Sequence, residues 1–190
     1  MSNQAYVSTG KPKIGGAIYR APAGTTLPTS ATDTLNTAFK CLGYVSEDGL
    51  VNTNTASTES IKAWGGDVVQ KPQTEKPDTF KATFIEAMNT EVLKATYGDD
   101  NVSGELATGI TVRANAKELP VGPWVCDMIL GGNFKRICIA NGQVTEVGDI
   151  EYKDASVIGY PLTIDAFPGG WADTSDTDTH KEWIIKSSAS

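Results

Sequence analysis

The chain has 190 residues, a net charge of −7 and three widely spaced cysteines, Cys41, Cys126 and Cys138, none of them in a CxxC pair. A chain of this length buries about 70% of its unfolded surface in one domain, so it needs no disulfide staples, and the odd cysteine count fits neither a disulfide framework nor a zinc site. Hydrophobic residues make up 39% and charged residues 21%, which excludes disorder throughout, and the acidic balance disfavours tight nucleic-acid binding because it repels phosphate.

Residues 1–30 are rich in Gly, Pro, Ser and Thr. Gly10-Lys11-Pro12-Lys13 and Ala21-Pro22-Ala23-Gly24 are turn or extended signals on either side of a short strand, Gly16–Arg20. This predicts an N-terminal arm that gains order by lying on another surface. Met1–Ala5 has no basic cluster leading into an apolar run, so it does not read as a secretion signal. No apolar run approaches the roughly 20 residues of a membrane-spanning helix.

Asp33 can cap one helical turn over Thr34–Phe39. Cys41–Ser46 alternates like a strand, and Glu47-Asp48-Gly49 reads as a turn. Residues 51–60 carry no large apolar side chain except Val51 and predict a mobile loop. Glu59–Gln70 and Phe80–Ala87 read as the two strands of a hairpin, with Gly65-Gly66 marking a bulge or a close backbone approach. Thr90–Tyr97 is the clearest helix, with Asn89 as cap, Glu91 in the first turn and Gly98 as stop.

The second half alternates strands and turns. The strands predicted are Ile110–Ala114, Pro123–Leu130, Phe134–Ala140, Gln143–Ile150, Ser156–Phe167 and Glu182–Ser187. Tight turns are expected at Gly131-Gly132-Asn133 and Asn141-Gly142. The fold class is therefore α+β, mainly β: an antiparallel sandwich or barrel with one flanking helix. The domain spans residues 31–190, with a C-terminal hairpin at about 156–187 and Trp183 turned inward.

Chemistry is sparse. The single histidine, His180, lies in a polar stretch and reads as a solvated loop residue; no GxSxG elbow supplies a nucleophile for it. Gly10-Lys11 is followed by Pro12, which rules out a phosphate loop. Asp173, Asp176 and Asp178 near Glu182 lack the spacing of a calcium loop and read as a hairpin tip. No catalytic, cofactor or metal residue is assigned, and no enzymatic activity is expected. The tryptophans, Trp64, Trp124, Trp171 and Trp183, serve packing or subunit contacts; the alternative is a β-sandwich adhesion module that binds glycans or calcium.

Four stretches, in order, carry a family likeness. They are Thr9–Pro28 with its Lys11-Pro12-Lys13-Ile14-Gly15-Gly16 core; Leu42–Leu50 leading to Ile61–Asp67; Phe84–Ala87 with Glu91–Lys94 and Tyr97-Gly98; and Asn141–Asp149 with Ile158–Ile164 and Ala166–Pro168. Together they resemble the major tail protein family of long-tailed, siphovirus-type bacteriophages. The resemblance implies a virion protein made in the host bacterial cytoplasm. It implies a fold similar to phage tail-tube and type VI secretion tube proteins. It implies homo-hexameric rings that stack into a tube for DNA ejection, with tape-measure and tail-terminator proteins as partners and DNA passing non-specifically. On that footing Ile14, Ile18, Tyr19, Trp64, Gly65 and Gly66 are candidate subunit-interface residues. Glu146, Asp149, Glu151 and Asp154 are candidate lumen-facing carboxylates that would repel the passing phosphates.

Overall fold

The computed structural model describes residues 2–172 and 177–186. Its strands run β1 (Gly10–Pro12), β2 (Ile18–Arg20), β3 (Lys40–Cys41), β4 (Val45–Asn54), β5 (Ser57–Thr58), β6 (Ile61–Lys62), β7 (Val68–Gln70), β8 (Gln73–Glu75) and β9 (Asp78–Phe84). The helix α1 (Thr90–Tyr97) follows, then β10 (Val102–Glu105), β11 (Gly109–Val112), β12 (Gly122–Leu130), β13 (Asn133–Val147), β14 (Tyr160–Phe167) and β15 (His180–Ile185). Every strand pairing is antiparallel. The mainly β expectation with one helix holds.

One nine-stranded sheet dominates, ordered β3-β2-β12-β13-β14-β9-β4, with β1 added on β12 and β15 on β13. Strict alternation explains its two faces. On β9, Asp78, Phe80, Ala82 and Phe84 are buried while Thr79, Lys81 and Thr83 are not. On β14, Tyr160, Leu162, Ile164 and Ala166 point the same way. These side chains meet Val92 and Leu93 of α1, Trp124, Ile137 and Ile139 in the main core. A smaller core on the opposite face joins Ala21, Phe39, Val125 and Cys138, with Trp171 and Trp183 packed against it. Trp183 is thus turned inward as its sequence suggests. Helix α1 is capped as expected: Asn89 accepts from the Glu91 amide at 3.0 Å, and Gly98, at φ 97°, donates its amide to the Lys94 carbonyl.

Several local expectations give way to the sheet. Thr34–Phe39 is not helical. Asp33 instead turns back, accepting from the Thr29 amide, the Thr29 hydroxyl and the Ser30 hydroxyl. Residues 47–49 are not a turn and residues 51–54 are not a loop: they lie in β4, which pairs with β9 across an irregularity between Val45 and Leu50. Gly49 at φ 70° absorbs it. The partner of β9 is therefore β4, and residues 57–75 form their own ribbon, β5 on β8 and β6 on β7. Gly65-Gly66 is the turn of that ribbon rather than a bulge.

Asn141-Gly142 is not a turn either, because β13 runs straight through it. A Cβ on Gly142 would come within 2.5 Å of the Trp124 ring. The glycine is there to admit the indole, whose Nε1–H donates to the Gly142 carbonyl at 3.3 Å. Strands β14 and β15 do not form a hairpin. Both pair with β13, β14 along Asn141–Val147 and β15 along Phe134–Ile139, so they lie end to end on one edge of it. Of the acidic stretch before β15, Asp173 and Asp176 lie outside the described residues, as does Ser187.

The N-terminal arm is also corrected. Gly10–Pro12 pairs with Met128–Leu130 and Ile18–Arg20 with Trp124–Cys126. From residue 10 onward the segment lies on strand β12 of its own chain. Arg136, 2% exposed, ties the next stretch down by donating to the Ser30 and Asp33 carbonyls. Its Nε and Nη2 grip Asp127 at 2.6 and 2.8 Å.

Candidate assembly surfaces

Three surfaces stand apart from the cores. The first is the ribbon. Past the last rung of the β4/β9 ladder, Asn54 with Asp78, its strands pair only with one another. Ten residues separate Asn54 from the tip at Trp64, a reach of at most about 33 Å at ~3.3 Å per residue. The tip closes through the Ala63 amide on the Asp67 carbonyl (2.8 Å) and the Gly66 amide on the Ala63 carbonyl (3.0 Å). Gly65 and Gly66 take φ 115° and 99°, where only glycine is unstrained. Trp64 is fully exposed, and Ile61, Val68 and Val69 are about half exposed or more. An isolated two-stranded ribbon is marginal in water, and this one carries its apolar side chains outward.

The second surface is the polar face of β13–β14–β9–β4. Glu146, Thr163, Lys81 and Val51 line up across the four strands, with Thr53, Thr79 and Asp165 one step along. The Thr163 hydroxyl donates to Glu146 at 3.3 Å. Asp48, Lys81, Glu146 and Thr163 border a shallow cleft of about 280 Å³ there. Carboxylates outnumber ammonium groups on this face.

The third surface is the pair of edges flanking those four strands. Among the described residues β4 pairs on one side only, with β9. On the other flank, pairing of β13 with β12 ends at Gly142, so residues 143–147 pair with β14 alone. Unpaired edges recruit further strands.

The structure sorts the candidate residues. Trp64, Gly65 and Gly66 come together at the ribbon tip, and Ile14 is 93% exposed. Ile18 is 4% exposed inside the main core and offers no surface to a neighbour. Tyr19 is half-buried against the second core, with its hydroxyl on the Gly16 carbonyl. Of the four carboxylates only Glu146 lies on the sheet. Asp149, Glu151 and Asp154 are exposed in the connection from β13 to β14, and Glu151 pairs with Lys153. Sequence reasoning passed over Asp165, Lys81 and the row of threonines. Their alternation with Phe80, Ala82, Leu162 and Ile164 was the available signal.

His180 is not a solvated loop residue. It opens β15, its Nδ1 lies 2.5 Å from Asp78, and its ring meets Phe80 edge-on at 5.2 Å. Asp78, 3% exposed, also accepts from the Thr179 hydroxyl at 2.6 Å and the Asn52 amide at 2.8 Å. Burial pushes the Asp78 carboxyl up, but the hydrogen bonds from Thr179, Asn52 and His180 outweigh it and the net shift is downward. Hydrogen bonds from Ser30 and Thr29 pull Asp33 down to about 2. Both groups bind protons more weakly folded than unfolded, so each contribution is complete above the unfolded carboxylate range and is lost as pH falls through the lowered folded value, about 2 for Asp33. Urea unfolding between pH 5 and 2.5 should show falling stability, with a shallower slope for Asp33→Asn. An unchanged slope in that variant would contradict this assignment.

Cys126 and Cys138 are pushed up to about 12 by burial, which keeps both thiols protonated. Among the described residues no cluster of three or more His, Cys, Asp or Glu side chains could hold a metal. No described helix is long and apolar enough to cross a membrane.

Compared with known families, residues 5–189 match the family model described as phage tail tube protein. No curated protein matches the chain.

Proposed function

The chain belongs to the phage tail tube protein family, and from that premise we propose that it forms the tube by edge-to-edge joining of the β13–β14–β9–β4 sheet. The free edge of β4 in one copy pairs with the free stretch of β13, residues 143–147, in the next. Two different edges make the contact heterologous, and such a contact closes into a ring when the rotation per copy divides a full turn. In this reading six copies close the ring. Closure also removes the exposed edges.

The observation that carries the reading is the sidedness of these strands. One face is apolar and covered by α1; the other is threonine-rich with Glu146, Asp165 and Lys81. The polar face then lines the bore, where hydroxyls and a net acidic charge give DNA a surface it does not adhere to. Asp149, Glu151 and Asp154, in the connection after β13, fall at the rim of the bore. The ribbon projects to the adjacent ring and seats Trp64 there. Tape-measure and terminator proteins are its further partners in the tail.

Electron cryomicroscopy of tubes from concentrated protein, or of virion tails, tests this. Thr79, Lys81, Glu146, Thr163 and Asp165 should face the bore. Tubes in which they face outward, or tails that lack the protein, would overturn the reading.

A further inference from the structure

We propose that Asp78 is a positioning residue, a latch that fixes the direction in which the ribbon leaves the sheet and ties that direction to the chain segment entering β15. The importance of that direction rests on the ribbon's role in stacking proposed above, but the latch itself is a property of the single chain. Beyond the Asn54–Asp78 rung the ribbon pairs only with itself. A few residues at the root therefore decide where a tip ten residues further along the chain points.

Two segments converge on one buried carboxylate of a third at that root. Asn52, on the outgoing strand, donates to Oδ1 at 2.8 Å and also to the Thr79 carbonyl at 3.2 Å. Thr179 and His180, a hundred residues away in sequence, reach Oδ2 at 2.6 and 2.5 Å. Hydrogen bonds are directional where apolar packing is not, so this arrangement specifies an angle as well as a contact. Beside it a cleft of about 590 Å³, bordered by Asn54, Glu75, Lys76, Asp165, Phe167 and Thr177, leaves the root room to swing. With Asp78 at the last rung and an open cleft beside it, the root turns when Thr179 and His180 let go. A push on the residues before β15 is then felt at the tip.

The test uses the unassembled full chain, so its result is independent of whether tubes form. Spin labels at Lys62→Cys and Lys117→Cys, in a Cys41→Ser background, report the distance from ribbon to body. Parent protein should give one narrow distance distribution. Asp78→Asn should lose that single peak while the chain still unfolds in one cooperative transition, at a midpoint somewhat below the parent's. Because Asp78→Asn removes a buried charge beside His180, a second variant, Thr179→Val with His180→Phe, opens the latch from the other side and preserves packing against Phe80. A network that only holds the fold together would lower the melting midpoint and leave the peak unchanged. An unchanged peak in both variants, or a broad one in the parent, overturns the proposal.

Discussion

Replacing Arg136 with alanine should cost about 3–5 kcal/mol of folding stability, a large share of the roughly 5–15 kcal/mol available to a domain. The guanidinium is 2% exposed and makes two bonds to Asp127, itself 3% exposed, and one each to the Ser30 and Asp33 carbonyls. Truncation leaves a buried carboxylate with only Lys13, at 3.2 Å and partly in solvent, to compensate it. It also strips two carbonyls of their donor. The segment 30–33 would detach from β13, and the Asp33 turn with it. Arg136→Met combined with Asp127→Leu should cost much less, because it removes the charge along with its partner. Chemical denaturation of the two single variants and the double variant measures the coupling. A loss below about 1 kcal/mol for Arg136→Ala would mean that the ion pair is no more than a tolerated passenger.

That network also shows where sequence reading stops. The helix at Thr90–Tyr97 was legible because its signals are local: cap, periodicity and glycine stop fall within ten residues. Strand β14 was legible from the alternation that a half-buried sheet imposes on every second position, whereas β12, buried on both faces from Gly122 to Asp127, reads as a mostly apolar run ending at a glycine pair. What pairs with what was not legible. Asn141-Gly142 is the strongest turn dipeptide in the chain, yet the glycine there answers to a tryptophan eighteen residues away. Glu47-Asp48-Gly49 carries turn residues and becomes an irregular stretch of strand, because β9 offers a ladder on either side of it. Asp33 carries a cap signature and spends it backward on Thr29 and Ser30, since Arg136 already holds its carbonyl.

The assembly surfaces follow the same division. Trp64-Gly65-Gly66 announced itself as a tryptophan beside two glycines. The carboxylates that face one way needed the register. Glu146 meets Thr163, and Thr163 meets Lys81, only once β13, β14 and β9 are aligned. Likewise His180 looks solvated in a run of Asp and Thr, and only the pairing of Ile139 with His180 brings it to Phe80 and Asp78.

Trp64→Ser should abolish tube formation and leave the subunit intact. In the free chain Trp64 is fully exposed at the end of the ribbon and belongs to neither core, so its loss uncovers no buried side chain of either. Surface changes of that kind stay within about 0.5 kcal/mol of the parent's stability. In a stack, a buried tryptophan is the residue type that most often dominates an interface, and its truncation costs about 2–4 kcal/mol per contact. Every subunit in a ring repeats the contact, so the loss multiplies around the ring and each tube junction fails together. Melting curves and negative-stain images of the same samples separate the two quantities. Unchanged melting with rings but no tubes is the expected pair, because the proposed ring closure uses the β4 and β13 edges and not the ribbon. Tubes of normal length from Trp64→Ser would remove the ribbon tip from the stacking contact and leave the edges to account for the whole assembly.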